Sequence, residues 1–327
     1  MVPGVKEAAV TLQSGDDLCQ PFLVFGGVFR GRLVRLTQAA SEILRRHDDP
    51  VPVATLLAEA MAAAVALAGG LKYDGVFTLQ VQGDGPVHML VTDVTSGGGV
   101  RACAKFDPDR LAAELRGRPD GFSPRLLGNG HLAFTVDQGP DTERYQGIVE
   151  LTGGSLADSV HHYFRQSEQL ASALKVAVGR QPTPDGDVWT AGAVLLQQMP
   201  EEGGENRPVM SADERDDAWR TAVILLGSLK DSELLDAGLS PERLLNRIYG
   251  TVGIKPLAPR PVRATCRCSA ERSIRILASF PAAEIRNFAT DDVVSMTCEF
   301  CREAYTFTLA DVAAVADAAA DPGKGKT

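Results

Sequence analysis

Apolar and polar residues alternate along much of the first 200 positions, which is the pattern of partly buried β-strands. Residues 22–36 are also strand-like but are interrupted at Gly26-Gly27 and Gly31, and Val28, Arg30, Arg32 and Val34 give no clean single face. The alternation is clear elsewhere. It returns at 76–81 and 87–94, and Gly83-Asp84-Gly85 between these segments predicts a hairpin turn. Further strands are predicted at residues 99–106, 131–136, 144–151, 174–178 and 188–198.

Helical spacing of apolar residues is clearest in an alanine-rich segment at 53–71, which is closed by Gly69-Gly70. The segment contains Glu59 and is too weakly hydrophobic for a membrane span. We therefore expect a core helix whose small side chains let it approach a sheet closely. Shorter helices are predicted at residues 38–47, 109–115 and 155–169.

The pattern changes near residue 200. Residues 201–208 are polar, and amphipathic helices are predicted at 213–229, 231–237 and 241–249. The first of these has an apolar stripe of Trp219, Val223, Leu226 and Leu229. Because these helices are too short to bury a core of their own, they are expected to pack on the sheet domain.

The chain is thus predicted to be an α+β protein. Residues 1–200 form an N-terminal mixed-sheet domain with packed helices, and 201–261 form a helical linker region. Residues 262–319 form a small C-terminal domain that contains four cysteines, and 320–327 form a disordered tail.

Composition limits the function of the protein. The chain has 327 residues, of which 44% are hydrophobic and 23% charged, as in soluble globular proteins. A formal net charge of -9 argues against nucleic-acid or anionic-membrane partners, which select basic surfaces. No basic-then-apolar leader is visible at the N-terminus, so a cytoplasmic location is predicted.

The cysteines carry the candidate chemistry. Cys266-x-Cys268 and Cys298-x-x-Cys301 are two close pairs, and four thiolates form the tetrahedral shell of a structural Zn²⁺ site. A disulfide between Cys266 and Cys268 would close a small, strained and easily reduced ring. The four cysteines can therefore hold a metal when reduced and form local disulfides when oxidised. A purely structural zinc ribbon remains an alternative at this point.

Five segments of the chain resemble the redox-regulated heat-shock protein 33 chaperones. They are the two cysteine pairs, Leu79-Gln-Val-Gln-Gly-Asp-Gly-Pro86, Arg144-Tyr-Gln-Gly-Ile-Val149 and Tyr163-Phe-Arg-Gln-Ser-Glu-Gln169. The resemblance covers roughly residues 25–315.

The resemblance implies an ATP-independent holdase. In its reduced, inactive form, Cys266, Cys268, Cys298 and Cys301 would bind one Zn²⁺ per chain. Oxidation would form the disulfides Cys266–Cys268 and Cys298–Cys301, release zinc, unfold the switch domain and linker, and expose apolar surface to unfolding clients. The oxidised form is expected to be a homodimer that passes its clients to refolding chaperones.

Two other functions fit the cysteine motifs less well than a redox-regulated chaperone does. A nucleic-acid-binding zinc ribbon would use the arginines near the first cysteine pair, at positions 260, 263, 267, 272 and 275, but the acidic chain opposes it. A thiol oxidoreductase would use Cys298-x-x-Cys301, which in such enzymes opens a helix after a strand. A four-thiolate zinc shell leaves no open position for a catalytic water, and no enzyme motif is recognisable, so no catalytic residue is predicted.

Overall fold

The computed structural model describes residues 17–116, 126–139, 145–151, 156–163, 170–184, 186–199, 208 and 210–320. The chain divides into two compact units, with the boundary between Ala264 and Thr265. Residues 164–169 of the predicted fourth helix, residues 201–207 of the polar linker and residues 321–327 of the predicted tail lie outside the described residues.

The strands of the described chain follow the alternating segments closely. In chain order they are β1 (Leu18–Val24), β2 (Phe29–Leu36), β3 (Val76–Gly83), β4 (Val87–Thr95), β5 (Gly99–Phe106), β6 (Gly130–Asp137), β7 (Tyr145–Glu150), β8 (Ser172–Gln181), β9 (Val188–Gln198), β10 (Ile254–Pro256), β11 (Arg260–Pro261), β12 (Arg263–Ala264), β13 (Val293–Thr297) and β14 (Ala304–Thr308).

The helices occur where apolar residues recur at helical spacing. They are α1 (Gln38–His47), α2 (Val51–Ala68), α3 (Pro108–Leu115), α4 (Leu156–Tyr163), α5 (Ala212–Gly227), α6 (Asp231–Leu234), α7 (Pro241–Tyr249), α8 (Ala270–Ala278), α9 (Ala282–Phe288) and α10 (Leu309–Ala320).

The α+β class is confirmed, and the strands of the first unit form two sheets. The first sheet has the order β10-β1-β2-β9-β8, with β11 also paired to β1, and all its pairs are antiparallel. The second has the order β12-β5-β4-β3-β6-β7, in which only β12 and β5 are parallel among the described strands.

Helix α2 forms the core of the first unit. From Val53 to Ala68, every side chain except Thr55 and Glu59 is buried. These side chains share one apolar cluster with Val34 and Leu195 of the first sheet and with residues of β3 and β4 in the second. Although α2 has the length and hydropathy of a membrane span, 78% of that segment is buried inside the protein. Its alanines therefore let two sheets pack on one helix.

The other face of the first sheet is covered by helices α5, α6 and α7, named here the linker helices. Because successive strand residues face opposite sides, Leu33 and Val194 lie in the cluster with the linker helices, whereas their neighbours Val34 and Ala193 lie in the α2 cluster. This burial on both faces explains why residues 28–34 show no single apolar face in the sequence.

The predicted apolar stripe of α5 was wrong at one position. The buried residues of α5 are Ala218, Ala222 and Leu226, and Val223 is exposed. Small alanines, which a search for large apolar residues passes over, form the contact surface. They allow α5 to lie close to the sheet.

The second unit is small. Its apolar cluster consists of Leu277 from α8, Ile285 from α9, Val294 from β13 and Val312 from α10, with partly buried neighbours around them. Strands β13 and β14 form an antiparallel hairpin. A core of this size is marginal for independent folding without a metal or a disulfide.

Candidate metal centre

The two cysteine pairs are positioned by different local structures in the second unit. Cys266 and Cys268 lie in the segment before α8, and the Ser269 side chain caps that helix by accepting a hydrogen bond from the Arg272 amide. Cys298 directly follows β13, and Cys301 lies in the turn that leads into β14. The pairs are thus held by a helix start and by a hairpin.

The hairpin turn is closed by two backbone hydrogen bonds. The Cys298 amide donates to the Glu303 carbonyl at 2.8 Å, and the Arg302 amide donates to the Cys298 carbonyl at 2.9 Å. Arg302 has a φ of 59°, the left-handed conformation that such a turn requires. The Cys298-x-x-Cys301 motif therefore lies in a strand–turn–strand, which is not the helix-opening position that thiol oxidoreductases use.

The sulfur atoms of the four cysteines form one compact cluster. One Sγ atom from each of Cys266, Cys268, Cys298 and Cys301 lies within 4.8 Å of every other. Cys266 Sγ is 3.7 Å from Cys298 Sγ, and Cys268 Sγ is 3.3 Å from Cys301 Sγ. A tetrahedron with Zn–S bonds of about 2.3 Å has sulfur–sulfur edges of about 3.8 Å, so the cluster is close to the size that zinc requires.

The cluster also fits a cation chemically. Burial and the neighbouring thiols raise the pKa values of Cys268 and Cys301. Burial opposes ionisation of Cys266 as well, but hydrogen bonds from the Cys268 amide and the other sulfurs lower the pKa of Cys266 to about 7. The Cys266 thiolate therefore forms more readily than those of Cys268 and Cys301, because negative charges in one site oppose one another. A bound dication removes this conflict, since a coordinating thiol is deprotonated outright.

Tyr305 supplies a side-chain hydrogen bond to the cluster. It lies on β14, and its hydroxyl donates to Cys268 Sγ at 3.2 Å. That bond raises the pKa of Tyr305, so the hydroxyl keeps its proton at physiological pH. The sequence analysis did not identify this residue. Its signal was limited to an aromatic residue four positions after Cys301 in a strand pattern.

The remaining cysteines are packed side chains. Cys19 and Cys103 are both buried in the first unit. Burial raises the pKa of Cys19 to about 11, which keeps it in the unreactive thiol form. Cys103 is 3% exposed and is a small packed side chain of β5.

A second group of contacts lies in the first unit, where the linker helices meet the first sheet. The Arg35 side chain of β2 is 2% exposed and donates to the backbone carbonyls of Glu233, Leu234 and Leu239. Lys175 of β8 forms an ion pair with Asp231 at 3.0 Å. The turn around α6 is therefore held by polar contacts from two strands, which the sequence did not reveal.

Leu234 anchors the same turn through packing. It is fully buried and lies directly over Gly192 of β9, where an added Cβ would come within 2.7 Å of Leu234 Cγ. Leu235 lies in the same way over Gly179 of β8, at 3.2 Å. Because the two glycines have no side chain, the adjacent Leu234 and Leu235 can pack directly on the sheet backbone.

A two-sheet α+β unit followed by a small four-thiol unit defines the class of this protein as an α+β protein with a separate cysteine domain. A family model described as "Hsp33 protein" matches residues 17–308. The chain belongs to the Hsp33 chaperone family.

Curated relatives and a solved structure agree with this assignment. The "33 kDa chaperonin" of Caulobacter vibrioides is 38% identical over 291 residues, which cover 89% of this chain and 94% of the relative. That of Pseudomonas fluorescens is 37% identical over 299 residues, covering 91% and 92%. The crystal structure of the 33 kDa chaperonin from Thermotoga maritima has a TM-score of 0.74 at 21% identity and covers 93% of this chain and 99% of its own, which supports the fold.

Proposed function

We propose that this chain is a redox-regulated, ATP-independent holdase of the cytoplasm. Family membership supports a chaperone that binds unfolding proteins. The observation that carries the redox part is the cluster of four sulfurs within 4.8 Å of one another in a unit with a small apolar core. The metal and the thiol chemistry act on the same four atoms.

In the reduced state, Cys266, Cys268, Cys298 and Cys301 would hold one Zn²⁺ as thiolates. Their four sulfurs would form a closed shell around the ion, which would join the start of α8 to the β13–β14 hairpin. Metal binding to small domains of this kind contributes on the order of 10 kcal/mol to folding. The four-residue apolar cluster of the second unit cannot replace that contribution.

Peroxide oxidises the cluster in balanced steps. A thiolate attacks one peroxide oxygen, the O–O bond breaks, and a sulfenic acid and hydroxide form. The second thiolate of the pair then attacks the sulfenic sulfur, an S–S bond forms, and a second hydroxide leaves. Two peroxides thus convert four thiolates into the Cys266–Cys268 and Cys298–Cys301 disulfides, and Zn²⁺ is released to solvent.

Loss of the second unit's structure then loosens the linker helices. These helices bury a set of large apolar side chains against the first sheet: Leu226, Leu229, Leu234, Leu244, Leu245, Ile248 and Tyr249. Their release exposes both this set and the sheet face beneath it, and a large exposed apolar surface binds non-native chains. Dimerisation of the oxidised form and transfer of clients to refolding chaperones complete the proposed cycle.

The test follows zinc, thiols and holdase activity in the same samples. Peroxide at raised temperature should release one zinc per chain, remove four thiols and only then suppress aggregation of a thermally unfolding client. Dithiothreitol should reverse all three changes. If zinc stays bound, or leaves without any gain of holdase activity, the cysteine cluster is only a structural staple and the proposal fails.

Cys298→Ser gives an independent arm of this test. It removes one of the four sulfurs, so it should abolish tight zinc binding and give a protein whose second unit and linker helices are loosened without oxidant. Cys103→Ala is the matched control, because Cys103 is buried in the first unit. A Cys298→Ser protein that holds stoichiometric zinc as tightly as the wild type would contradict the assigned ligands.

A further inference from the structure

The Tyr305 side chain joins the two cysteine pairs. Tyr305 lies on β14 and pairs with Met296 of β13. The hairpin that carries Cys298 and Cys301 therefore also fixes the position of Tyr305. Its hydroxyl reaches Cys268, a member of the other pair, at 3.2 Å. The hydrogen bond therefore connects the hairpin to the segment before α8.

Apart from the contacts between the sulfurs themselves, two further hydrogen bonds to the cluster come from backbone amides of the described chain. The Cys268 amide donates to Cys266, and the Glu303 amide donates to Cys301. These donors are set by the chain path and remain whatever side chain is present. The Tyr305 hydroxyl is different, because a single substitution removes it and leaves the aromatic ring in place.

A hydrogen bond to a thiolate withdraws charge from the sulfur. The sulfur then attacks peroxide more slowly, since nucleophilicity falls as the electron pair is stabilised. A donor outside the coordination shell also fixes the orientation of a ligand and tunes its metal bond. Tyr305 is placed to have both effects on Cys268.

We propose that Tyr305 is a positioning residue that protects the Cys268 thiolate and so sets the peroxide concentration at which the Cys266–Cys268 pair is oxidised. This inference rests on the proposed function, because it concerns the sensitivity of the same switch. Tyr305 is not one of the four zinc ligands. Its hydrogen bond would nevertheless control how much peroxide the protein tolerates before the cysteines are oxidised.

Tyr305→Phe tests the inference on the full-length, zinc-loaded protein. Removing this hydrogen bond should accelerate peroxide-driven zinc release about threefold, measured with a chromophoric zinc indicator. Mass spectrometry of alkylated samples should show the Cys266–Cys268 disulfide earlier than in the wild type. Tyr73→Phe is the matched control, since its hydroxyl bonds to the Val94 carbonyl in the first unit, and it should release zinc at the wild-type rate.

Two further arms separate the outcomes. Tyr305→Leu removes ring and hydroxyl together, and zinc stoichiometry before oxidation shows whether each variant is folded. If Tyr305→Phe releases zinc at the wild-type rate while Tyr305→Leu is faster, ring packing and not the hydrogen bond matters, and the inference is overturned. If the wild type itself keeps its zinc in peroxide, the proposed function fails instead.

Discussion

Glu59 is the one charged residue of α2, and it lies in the helix that both sheets cover. Burial raises the pKa of Glu59 from 4.5 to about 7. The unfolded chain releases this proton at a lower pH than the folded protein does. Between about pH 4.5 and pH 7 the unfolded state therefore binds fewer protons, and stability falls as the pH rises.

Glu59→Gln should remove that pH dependence. Relative to the wild type, the variant should gain about 1–2 kcal/mol of unfolding free energy on going from about pH 5.5 to about pH 8. Chemical denaturation at both pH values measures the difference. Glu242→Gln, on the exposed side of α7, is the control and should show no such change. An equal effect of Glu59→Gln at both pH values would show that this carboxyl does not titrate in the folded state as proposed.

At the scale of the element, α6 is held on the first sheet by the Arg35 guanidinium and by the fit of Leu234 over Gly192. Arg35→Lys keeps the charge but cannot donate three hydrogen bonds in the same fan-like geometry. We expect faster amide hydrogen exchange throughout residues 231–249 and holdase activity in the absence of oxidant. Arg45→Lys, at an exposed site bonded to the Asp187 carbonyl, is the matched control.

Gly192→Ala tests the same contact from the sheet side. The added methyl group must displace Leu234, which should destabilise the linker helices by about 1–3 kcal/mol. Hydrogen exchange should increase at α6 in this variant while α2 keeps its protection. If Gly192→Ala and Arg35→Lys both leave exchange at 231–249 unchanged, the linker helices are held by other contacts.

The sequence predicted most elements but not how they are arranged. Period-two alternation identified strands β3, β4, β5 and β6. The cysteine spacing identified all four members of the sulfur cluster. Alternation describes one face at a time, so it could not divide the strands between two sheets or place one helix in both. Contacts such as Arg35 with the carbonyls of residues 233–239 depend on backbone atoms, which carry no residue-specific signal. No strand was predicted at the positions of the short strands β10–β12.

At the scale of the whole molecule, the second unit should need zinc for its structure, whereas α2 and the two sheets around it should not. The first has two sheets around α2, whereas the second has a four-residue apolar cluster beside its sulfurs. Removing zinc from the reduced protein with a strong chelator should therefore abolish hydrogen-exchange protection in residues 265–320 and leave α2 protected. Re-adding zinc should restore it, and a chelated protein that keeps protection in α8 and β13 would contradict a structural role for the metal.

Strands β10 to β12 give the linker helices an unusual constraint. β10 and β11 pair with β1 in the first sheet, and β12 pairs with β5 in the second. The linker helices are therefore anchored at both ends, by β9 before them and by β10 after them. When undocked, they would form a closed loop over their own site, with an effective concentration there of about millimolar. Under the proposed function, the tethered helices would compete with a client for this sheet face, and renewed docking of the helices would favour client release.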